Sequence, residues 1–288
     1  MNKDPLRKQW MSATSSIDKL TLTELVWPGA HNAGIDFDVP FSPSIRLLAN
    51  WFVCQNRPFI QQLNEGVRAL DLRFHCDEHW LGIKKFHTFH GAKLFNGRSL
   101  SELIKSLTFF LDNNPDEFII LDIHELRGLD DKRFDYKGFH DVIMSELGER
   151  LIPERNSHFT LGELKKFSPR QRIVLAIEGH PDLYSATYWR KIKHAWSGKD
   201  IISPNELKQH IQDTLSYPSQ KNVLWSLSAT CYGELAGVKR ITQELNEWFG
   251  PTSAWAPKCS IINADFITDT DLVDYCRQVN HSKGLLKS

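Results

Sequence analysis

The sequence of 288 residues has no excess of charge of either sign, because lysine and arginine together number 35 and aspartate and glutamate also number 35. Without a net positive field, nucleic-acid binding would need a local basic patch, so we expect no nucleic-acid partner. No stretch approaches the ~18 uninterrupted apolar residues that a spanning helix needs. We therefore expect no transmembrane segment, and contact with a membrane only at its surface.

The sequence also lacks the marks of disulfide-rich or Sec-exported proteins. Its cysteines are odd in number, widely spaced and without a C-x-x-C pair, which argues against a disulfide framework and a zinc site and favours free thiols. The first 20 residues are charged and polar, without the apolar core and cleavage site of a secretory signal. We expect no Sec signal peptide, which leaves the cytoplasm and export by another route open.

Aromatic residues are abundant, with 9 tryptophans and 17 phenylalanines. Most should fill the interior, as aromatic side chains usually do. Some fall in predicted connections, among them Phe37, Phe41, Trp51 and Trp196. The alternative for these is an exposed rim that touches lipid.

Apolar runs of strand length alternate with helical patterns, and no linker or repeat divides them. Such repeated βα units predict an α/β protein, a single-domain distorted (β/α) TIM-type barrel over residues 21–288 after an N-terminal extension over residues 1–20. A doubly wound sheet is the alternative. Strands are predicted at 22–27, 67–74, 80–90, 118–123, 172–177, 223–227 and 260–267. Helices are predicted at 58–65, 99–111, 136–151, 205–215, 239–248 and 270–279, and residues 179–203 follow neither pattern.

One histidine stands in a loop bracketed by glycines. His31 follows the apolar run 22–27, and Pro28 with Gly29 is predicted to stop that strand. His31 would then lie at the carboxyl end of a strand, where parallel α/β proteins build their active sites. The alternative is a surface or capping histidine.

Further polar residues fall at predicted strand ends. Asp71 and Arg73 alternate along one strand and so share a face, which suits either an active-site mouth or a buried ion pair. Asp265 interrupts an apolar strand pattern and could orient a histidine or cap the helix after it. The other candidates are His87, His90, and the stretch from Asp122 through Ile123 and His124 to Glu125.

Five motifs occur in a fixed order: PGAHNAG, QQLNEGVRALDLRFH, FHTFHG, DEFIILDIHE and IINADFIT. As a set they resemble the X-domain of phosphatidylinositol-specific phospholipase C. The sequence is more similar to the bacterial enzymes and the animal X-domain-only relatives than to the multidomain eukaryotic ones. The resemblance spans residues 21 to about 280.

The resemblance implies a distorted barrel that cleaves phosphatidylinositol at a membrane surface, releasing diacylglycerol and inositol 1,2-cyclic phosphate. By motif position, His31 would be the general base and Asp265 would orient it. His90 would be the general acid, Arg73 would hold the phosphate, and Asp71 would support that site. Two histidines suit a reaction in which one proton is removed and another delivered.

Departures from the family pattern leave alternatives open. Asn32 stands where the metal-independent bacterial enzymes carry an aspartate and calcium-dependent relatives carry an asparagine ligand. Arg73 favours the metal-independent group, so we expect no cofactor; the alternative is Ca²⁺ held by Asn32, Asp71 and Glu125. We expect Asn32 to contact substrate.

The headgroup side of the site also departs from the family. His124 and Glu178 stand where bacterial relatives carry basic inositol-binding residues, and we expect both to contact substrate. His87 competes with His90 for the acid role, although its strand parity is opposite. The alternatives to a phosphatidylinositol phospholipase C are a metal-dependent phosphodiesterase for glycerophosphodiesters or other phospholipids, and an inactive lipid- or inositol-binding relative. We expect a monomer.

Overall fold

The computed structural model describes residues 5–78, 84–91, 96–128, 133–217, 222–233 and 237–287. The strands are β1 (Trp27–Ala30), β2 (Ala69–Glu78), β3 (Lys84–Phe89), β4 (Asn96–Ser99), β5 (Ile119–Gly128), β6 (Ile173–Ile177), β7 (Trp189–Arg190), β8 (Lys193–Ala195), β9 (Trp225–Ala229), β10 (Tyr232–Gly233), β11 (Gly237–Val238) and β12 (Ile261–Ala264). The α-helices are α1 (Pro43–Arg46), α2 (Phe59–Asn64), α3 (Leu100–Asn113), α4 (Tyr136–Leu147), α5 (Leu161–Phe167), α6 (Pro204–Ser216), α7 (Thr242–Phe249) and α8 (Leu272–Leu286).

The central sheet is parallel and curled, in the order β7-β6-β5-β2-β1-β12-β9-β8. Within the described residues no ladder joins β7 to β8, so the sheet is open along this seam. The antiparallel strands β3 and β4 extend the sheet beyond β2, and β10 pairs with β11. The prediction of an α/β TIM-type barrel is confirmed, with the seam as its main distortion.

The inner face of the barrel is apolar toward the amino ends of the strands. Its buried side chains include Trp27, Ile120 and Ile261, each contributed by a different strand. Trp10 and Met11 from the N-terminal segment are fully buried in the same cluster. Residues 5–20 therefore pack into the amino-terminal end of the barrel core, where the buried ion pair of Arg68 and Glu117 also bonds this segment.

The outer face packs against the helices. On β2, Leu70 and Leu72 belong to this second core, while Asp71 between them points the other way, as strand alternation requires. Helix α3 begins with a capping box in which the side chains of Ser99 and Glu102 bond each other's backbone amides.

The first strand corrects one prediction. Pro28 and Gly29 do not end a strand at residue 27; they lie inside β1, which ends at Ala30. Gly29 is needed because β1 and β12 approach closely, and an added Cβ would lie 2.7 Å from Ile261 Cγ2. His31 still follows the strand directly.

Two other predicted segments differ in their surroundings. The strand expected at 80–90 is the antiparallel β3, and residues 79–83 lie outside the described residues. The unassigned segment 179–203 contributes the short strands β7 and β8. Strands this short carry too few residues for alternation to register in the sequence.

We predict that Gly29→Ala lowers the free energy of unfolding by about 1–3 kcal/mol, because the new methyl group overpacks the contact with Ile261. Urea unfolding of the purified variant measures the change. Gly179→Ala is the matched control, since a Cβ there meets no atom within 4 Å. Equal unfolding midpoints for wild type and Gly29→Ala would contradict the prediction.

Candidate active site

A cavity of about 1140 Å³ opens at the carboxyl ends of the strands. His31 follows β1, Arg73 lies on β2 and His90 follows β3, and all three line this cavity. Asp71 and Asp265 lie buried beneath it. The structure thus brings together the five residues that the sequence assigned to catalysis.

His31 is oriented by a carboxylate. Its Nδ1 lies 2.8 Å from Asp265 Oδ1, and the amide Nδ2 of Asn32 lies 3.1 Å from its Nε2. Arg73 Nη2 also approaches this Nε2, at 3.4 Å. Since the carboxylate only accepts and the amide and guanidinium only donate, Nδ1 carries the proton and Nε2 keeps its lone pair. This is the tautomer that a general base requires.

Asp71 and Arg73 point to the same face of β2. Asn263 Nδ2 donates to Asp71 Oδ2 at 2.9 Å, and Arg73 Nε lies 3.9 Å from Asp71 Oδ1. Burial alone would raise the pKa of Asp71, but the positive charge of Arg73 and the nearby histidines outweigh it and hold the pKa well below its usual value. Asp71 is therefore ionised and balances the guanidinium.

His90 faces His31 across the cavity, with ring centroids 5.8 Å apart and nearly perpendicular rings. Its Nδ1 donates to the carbonyl oxygen of Phe52 at 2.8 Å, so Nε2 is the atom that addresses the cavity. Burial, with a contribution from His31, lowers the pKa of His90 to about 3. His90 is thus neutral at pH 7 unless an anion enters the site.

Three residues that contact His90 were not predicted from the sequence to belong to the site. Phe52 contributes only its carbonyl group, and Cys54 Sγ lies 3.4 Å from His90 Nδ1. The hydroxyl of Tyr232 lies 3.4 Å from His90 Nε2 and 3.4 Å from His31 Nδ1. A backbone contact leaves no sequence pattern, whereas the aromatic enrichment around residues 51–52 was a weak signal.

A second polar cluster lies beside the first. His194 Nε2 lies 2.7 Å from Asp122 Oδ2, and the rings of His124 and His194 have centroids 4.1 Å apart. Burial lowers the pKa of His124 to about 4, whereas the hydrogen bond to Asp122 outweighs burial and raises the pKa of His194. Asp122 and His124 were candidates from the sequence. His194 was not, because it falls in residues 179–203, which follow neither a helix nor a strand pattern.

The other candidates lie apart from the cavity lining. Glu178 is exposed and accepts from Lys191 at 2.8 Å, and Glu125 accepts from Arg127 Nε at 2.9 Å. His87 Nδ1 lies 3.1 Å from Asp77 Oδ2. The substrate role of Glu178 and the calcium role of Glu125 remain predictions that no contact supports.

Candidate metal ligands fall into two groups among the described residues. One comprises His31, Cys54 and Asp265, and the other Asp122, His124 and His194. The proposed calcium set of Asn32, Asp71 and Glu125 would need Glu125 to leave Arg127. That set stays a prediction.

Comparisons with known proteins give sequence relatives and structural neighbours. PI-PLC X domain-containing protein 2 of Mus musculus is 23% identical over 322 residues, covering 96% of this chain and 88% of that protein. The 1-phosphatidylinositol phosphodiesterase of Listeria monocytogenes is 27% identical over 226 residues, covering 78% of this chain and 63% of that protein. No model of a protein family matches the chain.

A solved structure extends the similarity to the fold. A variant of phosphatidylinositol-specific phospholipase C from Staphylococcus aureus aligns with a TM-score of 0.70 at 16% identity, covering 94% of this chain and 99% of that chain. The resemblance to the phospholipase C X-domain family is confirmed. The barrel, with His31 at the end of β1, is a phosphatidylinositol-specific phospholipase C fold.

We predict that a phosphate anion in the cavity raises the pKa of His90 from its value of about 3 in the free protein, because a nearby negative charge favours the imidazolium. NMR titration of the histidine rings, with and without inorganic phosphate, measures the shift. The Arg73→Gln variant, which removes the guanidinium that would hold the anion, should show a smaller shift. Identical His90 titrations in both states would refute this expectation.

Proposed function

We propose that the protein is a phosphatidylinositol-specific phospholipase C that converts phosphatidylinositol to diacylglycerol and inositol 1,2-cyclic phosphate. The supporting observation is a pair of histidines, His31 and His90, that face each other across one cavity with Arg73 beside the first. The relatives include a 1-phosphatidylinositol phosphodiesterase, which supports a phosphodiesterase or lyase of this kind.

In the first half of the reaction His31 removes a proton. Its Nε2 takes the proton of the inositol 2-hydroxyl, and the freed oxygen attacks the phosphorus to close the cyclic phosphate. Asp265, hydrogen-bonded to Nδ1, stabilises the imidazolium that forms. Arg73 supplies permanently charged donors to the phosphate oxygens as negative charge develops there.

In the second half His90 delivers a proton. The phosphate anion first raises the pKa of His90, and its protonated Nε2 then donates to the glycerol oxygen as the phosphorus–oxygen bond breaks. Diacylglycerol leaves with that proton, while His31 retains the one taken from the inositol. His90 takes the proton that it donates from water when the phosphate anion enters, and it is neutral again after the transfer. Release of the proton of His31 to water then restores the starting state.

The positions of two of the three residues expected to contact substrate support that role. His124 lines the cavity and could contact the headgroup, and Asn32 holds His31 Nε2 at 3.1 Å, beside the reacting hydroxyl. Glu178 lacks such support because it lies exposed against Lys191.

The test is phosphorus NMR of the products from phosphatidylinositol micelles. We predict that His31→Ala and His90→Ala each lower kcat by about 10²- to 10⁴-fold, the usual contribution of a general base or acid. His87→Ala is the matched control, since His87 pairs with Asp77 and should leave turnover unchanged.

The same experiment distinguishes the alternatives. Formation of inositol 1,2-cyclic phosphate in the presence of EDTA supports the proposal. Loss of turnover in EDTA, with recovery on adding Ca²⁺, would instead favour the calcium set of Asn32, Asp71 and Glu125. Lipid binding without turnover, equal in wild type and a His31→Ala, His90→Ala double variant, would favour an inactive lipid-binding relative.

Access to a lipid substrate points to the rim of the cavity. No helix in the described part of the chain has both the length and the apolarity to cross a bilayer. Leu48, Trp51 and Trp196 line the cavity and are about half exposed, and the adjacent Leu47 is 86% exposed. Apolar side chains around a site that receives a lipid headgroup suit contact with the membrane surface.

We predict that Trp51→Ala with Trp196→Ala weakens binding to phosphatidylinositol vesicles by at least about 10-fold, since burying each indole stabilises the bound state by more than about 1 kcal/mol. Vesicle co-sedimentation measures the binding. Phe109→Ala is the control, because Phe109 is 62% exposed on α3 and does not line the cavity. Equal loss of binding in the control would contradict a role specific to the rim.

A further inference from the structure

The cluster of Asp122, His124 and His194 is not used by the proposed proton transfers. Asp122 and His124 both lie on β5, where the pairing with β2 shifts register at His124, and both contact His194. His194 comes from β8, an edge strand, whereas β5 is the third strand from the opposite edge. The contacts of His194 with Asp122 and His124 therefore join two strands that are not neighbours in the sheet.

The cluster carries donor atoms that its own contacts do not satisfy. Asp122 is 2% exposed, and its Oδ1 has no hydrogen-bond partner in the structure. The Nδ1 of His124 is likewise buried and without a partner. Buried polar atoms are nearly always bonded, so two such atoms in one cluster call for a common partner.

The charges around the cluster favour a cation. Asp71 and Asp122 are two buried carboxylates, whereas Arg73 is the permanent cation nearest to them at the cavity wall. Lys191 and Lys199 also line the cavity, but they pair with Glu178 and Glu206 at 2.8 and 2.7 Å. Lys193 lines the cavity as well, but it is exposed, so solvent screens its charge. Metal binding requires both imidazoles to be neutral. The two negative charges of Asp71 and Asp122 then exceed the single positive charge of Arg73.

We infer that Asp122, His124 and His194 form a binding site for a divalent transition metal of the Zn²⁺ class. Two imidazole nitrogens and one carboxylate oxygen are ligands that Zn²⁺ prefers, whereas Ca²⁺ prefers oxygen ligands alone. One potential ligand atom of each residue lies within 4.8 Å of the others. Zn²⁺ bonds of ~2.0–2.1 Å place tetrahedral ligand atoms roughly 3.4 Å apart, so the three side chains would adjust their positions around the ion.

The ion would replace the hydrogen bond between His194 and Asp122 by three metal–ligand bonds, one to each residue of the cluster. His194 Nε2 would exchange its hydrogen bond with Asp122 for a metal bond, and the unpartnered Oδ1 of Asp122 and Nδ1 of His124 are of the atom types that bind Zn²⁺. The remaining coordination position would face the cavity that His124 and His194 line, open to water or a substrate oxygen. The ion would also link β5 to β8, two strands that are not neighbours in the sheet.

The test is direct titration of chelator-treated protein with Zn²⁺ by calorimetry, without lipid. We expect one ion per chain and a higher melting temperature with Zn²⁺, because binding stabilises the folded state. His124→Ala and His194→Ala should each weaken binding by at least about 100-fold, since loss of a mere hydrogen-bond partner of a ligand already costs about 10- to 100-fold. His124→Phe keeps an aromatic ring in place should His124→Ala fold poorly.

Two controls locate the ion. His87→Ala, a histidine paired to Asp77 outside the cavity, should bind Zn²⁺ as wild type does. Cys54→Ala should also bind normally, and the Co²⁺-loaded protein should lack the strong absorption of a cobalt–thiolate bond. A thiolate band, or loss of binding in Cys54→Ala, would assign the ion to His31, Cys54 and Asp265 and overturn the inference.

The inference is also overturned if wild type binds no Zn²⁺, or if both histidine variants bind it normally. These outcomes are independent of the proposed function, because the binding measurement uses no substrate. A chain that binds Zn²⁺ but does not cleave phosphatidylinositol would refute the enzyme proposal alone.

Discussion

The buried carboxylate of Asp71 is the group around which the rest of the site is arranged. It accepts from Asn263, faces Arg73 and lies 4.0 Å from His31 Nε2, so it joins the neighbouring strands β1, β2 and β12. A buried charge is tolerated only when it is paired and hydrogen-bonded, and removal of one partner is expected to cost several kcal/mol. The reacting groups are therefore fixed by the same contacts that hold the centre of the sheet together.

Residues that share a face of one strand could be predicted from the sequence, whereas contacts between distant strands could not. Alternation along a single strand predicted that Asp71 and Arg73 share a face, and the structure places both toward the interior beside His31. Alternation does not say which strands meet across the barrel, so the bond between Asp122 and His194 had no sequence signal. By alternation along the strand, Glu178 would point into the barrel as Val174 and Ala176 do. However, β6 ends at Ile177, and Glu178 lies exposed beyond its end.

The hydrogen-bond partner of His90 also could not be predicted from the sequence. The sequence drew attention to Asn32, yet its amide donates to His31 and not to His90. The Nδ1 of His90 is held by the carbonyl of Phe52, a neutral partner. A carbonyl fixes the tautomer as a carboxylate would but adds no full negative charge to favour the imidazolium, so burial prevails and the pKa of His90 falls.

The two polar clusters share one electrostatic field. The negative charge of Asp71 favours the charged forms of His124 and His194, and the positive charge of Arg73 disfavours them. A phosphate anion beside Arg73 would offset its positive charge and favour protonation of histidines on both sides of the cavity. A divalent cation at Asp122 would have the opposite effect on the histidines beside it.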